Sequence, residues 1–420
     1  MSQRKNMLIA QSGGPTAVIN ASVVGAFHRA VTASDIHHIY GAYNGIVGVL
    51  KETFVDLKKQ DRRTMDGIQY TPSSALGSCR YKLSSDFEHE DYRRIFDVFD
   101  AHKIGYFFYN GGNDSMDTAM KLNAYARKIG YDIKIIGIPK TIDNDLVGTD
   151  HCPGYGSAAK YINTSILESA FDCNTYTART VVLIEVMGRH AGWLAASASL
   201  AAFEGERIVD LVYLPELPFD LDTFLSQVEE VYREKGKVFV AVSEGIRDKS
   251  GEFILAGQSQ HDEFGHSQLG GVSLYLQEMV QANITKRVKV INPGILQRCA
   301  AHCASKTDLD EAYWIGYRAV DLALQGYTGF MAGIKRESNR PYKWSVELTA
   351  LENVANKEKA VPREWIVPEG NYVTEECIEY MKPLIMGEVY VPAWEGLPRY
   401  VQLKKDFIPP KLEKWHDEKG

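Results

Sequence analysis

The order of short apolar runs along the chain is the sequence feature that most restricts its fold. From Met7 onward, runs rich in β-branched residues alternate with amphipathic stretches of about 12 to 18 residues. This alternation is typical of βα units, because parallel neighbouring strands are joined by a crossover that is usually a helix. The pattern disfavours helical repeats and all-β sandwiches. We therefore predict an α/β fold with mostly parallel sheets flanked by helices.

Several runs have the apolar, β-branched character of buried strands and are bounded by glycine, proline or polar residues. The predicted strands are Met7–Ala10, Ile104–Tyr109, Ile133–Ile138, Thr180–Val186, Ile208–Leu214, Val238–Val242, Val288–Ile291 and Phe330–Ile334. The clearest helix is predicted at Asp308–Gln325, where an aspartate stands at the start and Gly326 follows the end.

The charge balance restricts the partners of the chain. Its 420 residues, enough for about two or three domains, include 47 Lys and Arg against 54 Asp and Glu, a formal net charge of −7. No global positive field is therefore available to attract nucleic acid or anionic lipid, and an anionic ligand would need a local basic pocket. No run approaches the roughly 18 apolar residues that span a bilayer. We expect small-molecule partners, no nucleic acid and no membrane.

The cysteines and the N-terminal residues favour a cytoplasmic protein. Six cysteines are dispersed through a long chain, unlike a secreted disulfide framework. The first residues lead directly into Met7–Ala10 without a signal-peptide core. Cys299, His302 and Cys303 stand close together, but no paired CxxC ligands accompany them. Core packing is therefore favoured over a metal site at these three residues.

Glycine-rich or acidic turns follow three of the predicted strands. Gly13-Gly14 follows Met7–Ala10, NGGNDS (110–115) follows Ile104–Tyr109, and PKTIDND (139–145) follows Ile133–Ile138. In an open α/β sheet, ligands bind beyond the carboxyl ends of strands, where glycine turns let backbone N–H groups approach a phosphate. Each turn also has a plainer interpretation, as an ordinary turn, a helix cap or a solvated loop.

Longer motifs decide between these interpretations. GGNDS (111–115), GIPKTIDNDL (137–146) and EVMGRHAGW (185–193) together resemble the phosphofructokinase family, specifically its pyrophosphate-dependent branch. The match is in family order and spans about residues 7–335. It implies Mg²⁺-dependent, reversible phosphoryl transfer from pyrophosphate to O1 of fructose 6-phosphate, a step of glycolysis and gluconeogenesis.

The resemblance also implies a domain organisation. We expect two similar domains, with the active site in the cleft between them. Residues 1–155, with a returning segment of about 295–345, would form a donor-phosphate domain, and residues 156–294 a sugar-phosphate domain. Residues 346–420 would be a C-terminal extension, which we expect at the surface, with its last residues mobile.

Four residues carry the catalytic roles that the resemblance implies. Asp143 would take the proton of the 1-hydroxyl, and Thr141 would contact the transferring phosphoryl group. ATP-dependent members of the family have glycine at the positions of Lys140 and Asp114. The Asp114 carboxylate would exclude the α-phosphate of a nucleotide, and the Lys140 ammonium would hold the oxygens of pyrophosphate.

The remaining implied residues bind phosphate, metal and sugar. Donor phosphate would contact Gly14, Gly112, Arg80 and Lys140. Mg²⁺ would contact Asn113 and Asp114, although the family commonly has an aspartate where Asn113 stands, so the ligand identity stays open. The sugar phosphate would contact Thr141, Ile142, Asp143, Met187, Gly188, Arg189, Glu244 and Arg298, with Arg298 on the 6-phosphate.

Two features of the family leave alternatives open. A neighbouring subunit commonly holds part of the 6-phosphate, which implies a homodimer or a homotetramer. Relatives often have His or Tyr where Ile295 stands, so Lys289 or Arg287 could replace that contact. An ATP-dependent phosphofructokinase and a non-catalytic sugar-phosphate-binding subunit remain alternative functions, and intact Asp143 disfavours the second.

Overall fold

A computed structural model describes residues 5–255 and 270–415 of the chain. The strands are β1 Lys5–Gln11, β2 Ile36–Ala42, β3 Phe54–Asp56, β4 Ile104–Gly111, β5 Lys134–Pro139, β6 Thr180–Val186, β7 Ala202–Phe203, β8 Glu206–Arg207, β9 Leu211–Tyr213, β10 Lys237–Ser243, β11 Val288–Ile291, β12 Phe330–Asn339, β13 Tyr342–Ala350, β14 Ala393–Trp394 and β15 Leu397–Pro398. The α-helices are α1 Ile19–Val31, α2 Gly45–Leu50, α3 Arg62–Ile68, α4 Glu90–Ala101, α5 Asn113–Ile129, α6 Tyr155–Asn174, α7 Trp193–Ser197, α8 Leu221–Lys235, α9 Val272–Asn283, α10 Lys306–Leu324, α11 Leu351–Val354 and α12 Glu375–Met381.

The larger sheet has seven strands in the order β13-β12-β5-β4-β1-β2-β3. Its five central strands are parallel, and the edge strands β13 and β3 are antiparallel to their neighbours. From β1 the chain goes to β2 on one side and later to β4 on the other. The order of strands therefore reverses between β1 and β4, where open α/β sheets bind ligands.

The smaller sheet has four parallel strands in the order β11-β6-β10-β9. Its strands β6 and β10 are buried along nearly their whole length, as expected for a parallel sheet that is covered by helices on both faces. The predicted fold of mostly parallel sheets flanked by helices is confirmed.

The predicted strands all exist, with shifted ends. The predicted run Ile208–Leu214 is reduced to Leu211–Tyr213, and the predicted helix Asp308–Gln325 begins at Lys306, after the capping residue Ser305. Three strands of the larger sheet, β2, β3 and β13, were not predicted, nor were the two-residue strands β7, β8, β14 and β15. β2 contains two histidines and β13 carries polar residues at a sheet edge, so neither has the apolar pattern of a central strand.

Helices α1 and α10 cross at unusually short range because each has a glycine at the contact. A Cβ added at Gly25 would lie 1.9 Å from the carbonyl oxygen of Tyr313, and one added at Gly316 would lie 1.9 Å from that of Ser22. The two backbones therefore touch directly. This contact holds α10 beneath the central strands of the larger sheet.

Replacing Gly25 with alanine should destabilise the protein. The added methyl group must push the two backbones apart, and such overpacking costs about 1–3 kcal/mol. In an uncrowded helix, replacing glycine with alanine stabilises the protein by up to about 1 kcal/mol. The sign of the change in stability therefore shows whether Gly25 is crowded. Thermal unfolding should show a lower midpoint, and an unchanged or raised midpoint would show that the crossing is looser than described.

The chain after β13 is not a surface appendage, so that prediction is wrong for residues 351–384. Val361, Ile366, Cys377, Met381 and Leu384 are buried and pack into the core around α6 and β6. Farther on, Ile408, Leu412 and Trp415 pack against the core of the larger sheet. The last residues of the expected mobile terminus, 416–420, lie outside the described residues. Apolar side chains spaced through a Pro-, Trp- and Lys-rich segment gave no periodic signal.

The geometry of the described residues bears on membrane-spanning helices, disulfides and metal clusters. Within residues 5–255 and 270–415, no helix is both long and apolar enough to cross a membrane. All six cysteines are free thiols. Across the same residues, no group of three or more His, Cys, Asp or Glu is arranged to hold a metal ion, which includes the Cys299–Cys303 segment.

Candidate active site

The carboxyl ends of both sheets face one cleft. Its volume is about 680 Å³, and polar groups dominate its walls. The walls consist of Ser12, Gly13, Gly14, Pro15, Cys79, Arg80, Tyr81, Gly112, Asn113, Asp114, Ser115, Thr118, Lys140, Thr141, Ile142, Asp143, Asp145, Met187, Arg189, His190, Glu244, Arg298, Asn356 and Glu358. β1, β4 and β5 of the larger sheet and β6 and β10 of the smaller sheet supply most of these residues through the turns that follow them.

Nearly all of the residues singled out from the sequence line this cleft. They are Gly14, Arg80, Gly112, Asn113, Asp114, Lys140, Thr141, Ile142, Asp143, Met187, Arg189, Glu244 and Arg298. Gly188 is absent from the walls. It has φ +141°, and its carbonyl oxygen accepts a hydrogen bond of 2.5 Å from the Ser243 hydroxyl. Gly188 therefore shapes the turn that presents Arg189, because a side chain at this φ would be strained.

Lys140 is buried at the base of the first glycine turn. Its ammonium donates to the carbonyl oxygen of Gly14, and a Cβ at Gly13 would come within 3.3 Å of Nζ. Gly13 has φ +76°, which favours glycine, and its carbonyl accepts from the Ser78 hydroxyl at 2.7 Å. The turn therefore packs closely against the Lys140 ammonium.

Burial changes the proton affinity of that lysine. Removal of the ammonium from water lowers the pKa of Lys140 to about 8, Asp143 and Asp145 oppose the shift, and Arg298 adds to it. Near pH 7 the side chain remains mostly charged. An anion that enters the cleft thus meets a poorly solvated cation, which strengthens the attraction.

Asp143 is the most perturbed carboxylate of the cleft. Burial raises its pKa to about 7, repulsion from Asp145 and Glu244 adds to the rise, and Lys140 and Arg189 oppose it. Its backbone N–H donates to the Thr141 hydroxyl at 3.1 Å, which fixes the start of the turn. A carboxyl group with a pKa near neutrality can both accept and return a proton under physiological conditions.

Asn113 and Asp114 open helix α5 at the same end of the sheet. Asp114 is exposed to the cleft at the helix N-terminus. The Asn113 amide is instead engaged with the C-terminal segment: it donates to Lys357 O at 2.6 Å and accepts from Asn356 N at 2.7 Å. The Asn113 amide thus links α5 to residues 356–357, while the residue also lines the cleft.

Asp145 provides a free acceptor beside Asp143. One of its carboxylate oxygens is buried and has no hydrogen-bond partner within the described part of the chain. Burial is also the main cause that raises the pKa of Asp145. A buried acceptor without a donor is costly unless a cation or a ligand satisfies it. Asp145 and Asp114 therefore fit a divalent cation better than Asn113 does.

Arginines and a glutamate form the opposite wall of the cleft. The Arg189 Nε is buried and lacks a hydrogen-bond partner among residues 5–255 and 270–415. Burial raises the pKa of Glu244, which follows β10 directly. Arg298 reaches across to the first glycine turn, where a Cβ at Gly14 would lie 3.3 Å from Nη1. Cations thus lie on both sides of the cleft in a protein whose net charge is negative.

The structure does not bring every suggested phosphate contact to this site. Lys289 pairs with Asp172 at 2.9 Å on the outer surface, and neither Lys289 nor Arg287 lines the cleft. Ile295 is 62% exposed and also lies outside the walls. Conversely, Asn356 and Glu358 line the cleft and were not expected, because they follow a segment that carries no recognisable motif.

Comparisons with known proteins identify the fold and the family. The model of the phosphofructokinase family matches residues 6–323. The chain belongs to the phosphofructokinase family. A pyrophosphate–fructose 6-phosphate 1-phosphotransferase of Methylococcus capsulatus is 44% identical over 412 residues, 97% of this chain and 98% of that protein. A protein of the same name from Halomonas elongata is 44% identical over 411 residues, 97% of this chain and 98% of that protein.

A solved structure of this family has the same architecture. The crystal structure of the pyrophosphate-dependent phosphofructokinase of Nitrosospira multiformis superposes with a TM-score of 0.90 at 42% identity. The alignment covers 99% of this chain and 100% of that one. The likeness therefore includes the buried C-terminal segment as well as the two sheets.

Proposed function

We propose that the protein transfers a phosphoryl group from pyrophosphate to O1 of fructose 6-phosphate, giving fructose 1,6-bisphosphate and orthophosphate. The observation that carries this proposal is the buried Lys140 ammonium within the Gly13-Gly14 turn, with the Asp114 carboxylate at the adjacent helix N-terminus. A compact ammonium at this turn suits a small, highly charged phosphoryl donor, while a carboxylate in the same cleft would repel a longer polyphosphate. The pyrophosphate-specific names of the similar proteins support the same substrate.

The chain supplies groups for each part of the reaction. The O1–H bond breaks as the Asp143 carboxylate takes the proton, O1 forms a bond to phosphorus, and the bridging P–O bond of pyrophosphate breaks. Orthophosphate leaves with the bridging oxygen. Catalysis of such a transfer consists mostly of positioning and charge stabilisation. The backbone N–H groups at Gly14 and Gly112, with Lys140 and Arg80, would hold the phosphoryl donor.

Mg²⁺ is the proposed metal, with Asp114 and Asp145 as the residues that would hold it. Mg²⁺ bound there would neutralise charge on the phosphoryl oxygens. It commonly takes only one or two protein carboxylates and completes its shell with phosphate oxygens and water. A site with two carboxylates is consistent with the described residues, where no group of three or more His, Cys, Asp or Glu is arranged to hold a metal ion.

The acceptor would bind against the smaller sheet. Arg189 and Arg298 would hold the 6-phosphate and neighbouring charge, and Glu244 would accept hydrogen bonds from sugar hydroxyls. Met187, Ile142 and Thr141 would border the sugar ring. In this proposal residues 1–155 and about 295–345 bind the phosphoryl donor, and residues 156–294 bind the sugar phosphate.

The direct test is product identity. Purified protein incubated with Mg²⁺, pyrophosphate and fructose 6-phosphate should form fructose 1,6-bisphosphate and orthophosphate, detected by phosphorus NMR. The reverse mixture should regenerate pyrophosphate. Absence of bisphosphate from the forward mixture, with a correctly folded protein, would reject the proposal.

The pH dependence of kcat/KM should be bell-shaped. Asp143 acts when it is deprotonated, so activity should rise as pH increases through its pKa of about 7. Lys140 acts when it is protonated, so activity should fall as pH increases through its pKa of about 8. In Glu244→Gln the acid limb should move to lower pH, because a charge that raises the pKa of Asp143 is removed. An acid limb that does not move would exclude Asp143 as its origin.

We also propose that the protein is a homodimer or a homotetramer. The hairpin of β14 and β15 carries Trp394 at 63% and Leu397 at 72% exposure, and nearby Tyr390 is 83% exposed. Clustered exposed apolar side chains of this size are typical of protein interfaces. Sedimentation should give a multiple of the monomer mass, and Trp394→Ser with Leu397→Ser should weaken the assembly. A wild-type protein that sediments as a monomer at micromolar concentration would contradict this.

A cytoplasmic location is the last part of the proposal. Six free thiols suit a compartment that keeps cysteines reduced.

A further inference from the structure

The C-terminal segment passes directly behind the turn that carries Asp143. Lys359 N donates to Asp145 O at 2.7 Å, and Glu358 forms an antiparallel bridge with Leu146. On the other side, Lys359 O accepts from the Trp193 indole N–H at 2.8 Å. Residues 358–359 thus connect the turn after β5 to helix α7 of the smaller sheet.

The Lys359 side chain holds the far half of the same turn. Its ammonium donates to Asp150 O at 2.8 Å and to Thr149 O at 3.3 Å, and it lies 3.5 Å from the Asn144 side-chain oxygen. Three points along residues 144–150 therefore converge on one nitrogen. An ammonium has three N–H donors, so this arrangement uses its full capacity.

The surroundings of this ammonium differ from those of an ordinary ion pair. Within the described residues no carboxylate lies within salt-bridge distance of Lys359, and its partners are carbonyl and amide oxygens. Burial lowers the pKa of Lys359, which shows that taking the charge out of water is unfavourable. Because no ion pair offsets the cost of desolvation, this ammonium contributes little to the stability of the fold. Its three hydrogen bonds instead fix the position of the turn.

The turn itself needs such an anchor. Asn144, which directly follows Asp143, has φ +54°, in the left-handed region that is less favourable for residues with a side chain. Its side chain is held at both ends: the amide donates to Tyr380 Oη at 3.3 Å and the oxygen accepts from Cys152 N at 2.9 Å. Tyr380 Oη in turn donates to Asp150 O at 2.6 Å. Lys359 and Tyr380, both C-terminal, thus close the turn around Asn144.

We propose that Lys359 is a positioning residue, which holds residues 141–152 so that the Asp143 carboxylate faces the reacting hydroxyl. The inference rests on the proposed function, because it gives Asp143 the role of base. Lys359 is absent from the walls of the cleft, so in this proposal it acts through the turn. Loss of its three contacts lets Asp143 move, and misplacement of a catalytic group by about 1 Å can cost about 100-fold in rate.

Lys359→Met tests the proposal, because methionine keeps much of the length of lysine and removes the donors. We expect kcat to fall about 10- to 100-fold, with KM for both substrates within about threefold of wild type. Hydrogen exchange of peptides covering residues 141–152 should accelerate. The matched control is Lys160→Met, whose ammonium binds the backbone carbonyls of Gly387 at 2.7 Å and Ala304 at 3.5 Å and also pairs with Glu388 Oε1 at 2.9 Å. The Lys160 side chain is absent from the cleft walls.

The outcomes separate the two proposals. Unchanged kcat in Lys359→Met, a rise in KM alone, or equal losses in both variants would overturn the positioning role. If wild type shows no turnover with pyrophosphate, the proposed function fails, and hydrogen exchange still decides whether Lys359 orders the turn. If Lys359→Met does not fold, Tyr380→Phe replaces it: a loss in kcat of about threefold or more at unchanged KM supports the anchor, and wild-type kcat overturns it.

Discussion

Asp143→Asn should reduce kcat by about 1,000-fold, the middle of the range for loss of a general base. Asparagine has the size of aspartate but cannot take the proton of the 1-hydroxyl. Binding of both substrates should persist, because the proposed phosphate contacts of Lys140, Arg189 and Arg298 remain. Steady-state kinetics should therefore show a large loss in kcat with a small change in KM.

The stability of this variant provides an internal check. The folded protein raises the pKa of Asp143 to about 7, above its usual value, so folding disfavours the ionised carboxylate at pH 7 and above. A neutral amide should thus leave the thermal midpoint unchanged or raise it. Asp310→Asn, on the exposed side of α10 and paired with Lys306, is the matched control and should keep wild-type kcat. A kcat for Asp143→Asn within tenfold of wild type would exclude Asp143 as the base.

Asp114→Gly combined with Lys140→Gly should change the phosphoryl donor. Removal of the Lys140 ammonium takes away the main buried cation for pyrophosphate, and one preorganised group of this kind contributes about 100- to 1,000-fold. Removal of the Asp114 carboxylate opens the helix N-terminus to a further phosphate. We expect kcat/KM with pyrophosphate to fall by at least about 100-fold and binding of ATP to become measurable.

The single variants show which residue does what. Lys140→Gly alone should lose pyrophosphate turnover without gaining ATP, because Asp114 still repels the longer polyphosphate. Asp114→Gly alone should keep part of its pyrophosphate turnover. The ratio of kcat/KM for the two phosphoryl donors, measured on one preparation, is insensitive to the fraction of folded protein. An unchanged ratio in the double variant would reject the proposed selection.

The predictable part of the site consists of residues next to strand ends. Gly14, Lys140 and Asp143 each follow a strongly apolar strand within a few residues, and parallel strands bring their carboxyl ends to one edge. The local sequence therefore indicates both which residues belong to the site and at which edge of the sheet they lie. Arg189 and Glu244 also follow strands, β6 and β10, but the family resemblance singled them out, because the strand pattern alone was weak there.

The unpredicted part depends on contacts between distant segments. Asn113 reaches residues 356 and 357, and Lys359 reaches Asp150, about half a chain away. Neither contact can be predicted from the spacing of residues along the sequence, because an irregular segment has no periodic pattern of side chains. For the same reason the buried core residues Cys377 and Met381 were assigned to the surface.

One competition experiment tests the choice of phosphoryl donor most directly. Wild-type protein, Mg²⁺ and fructose 6-phosphate are mixed with equal concentrations of pyrophosphate and ATP, and phosphorus NMR follows both donors in the same tube. Consumption of pyrophosphate with ATP left intact, in step with formation of fructose 1,6-bisphosphate, is the expected result. Consumption of ATP with pyrophosphate left intact would contradict the account.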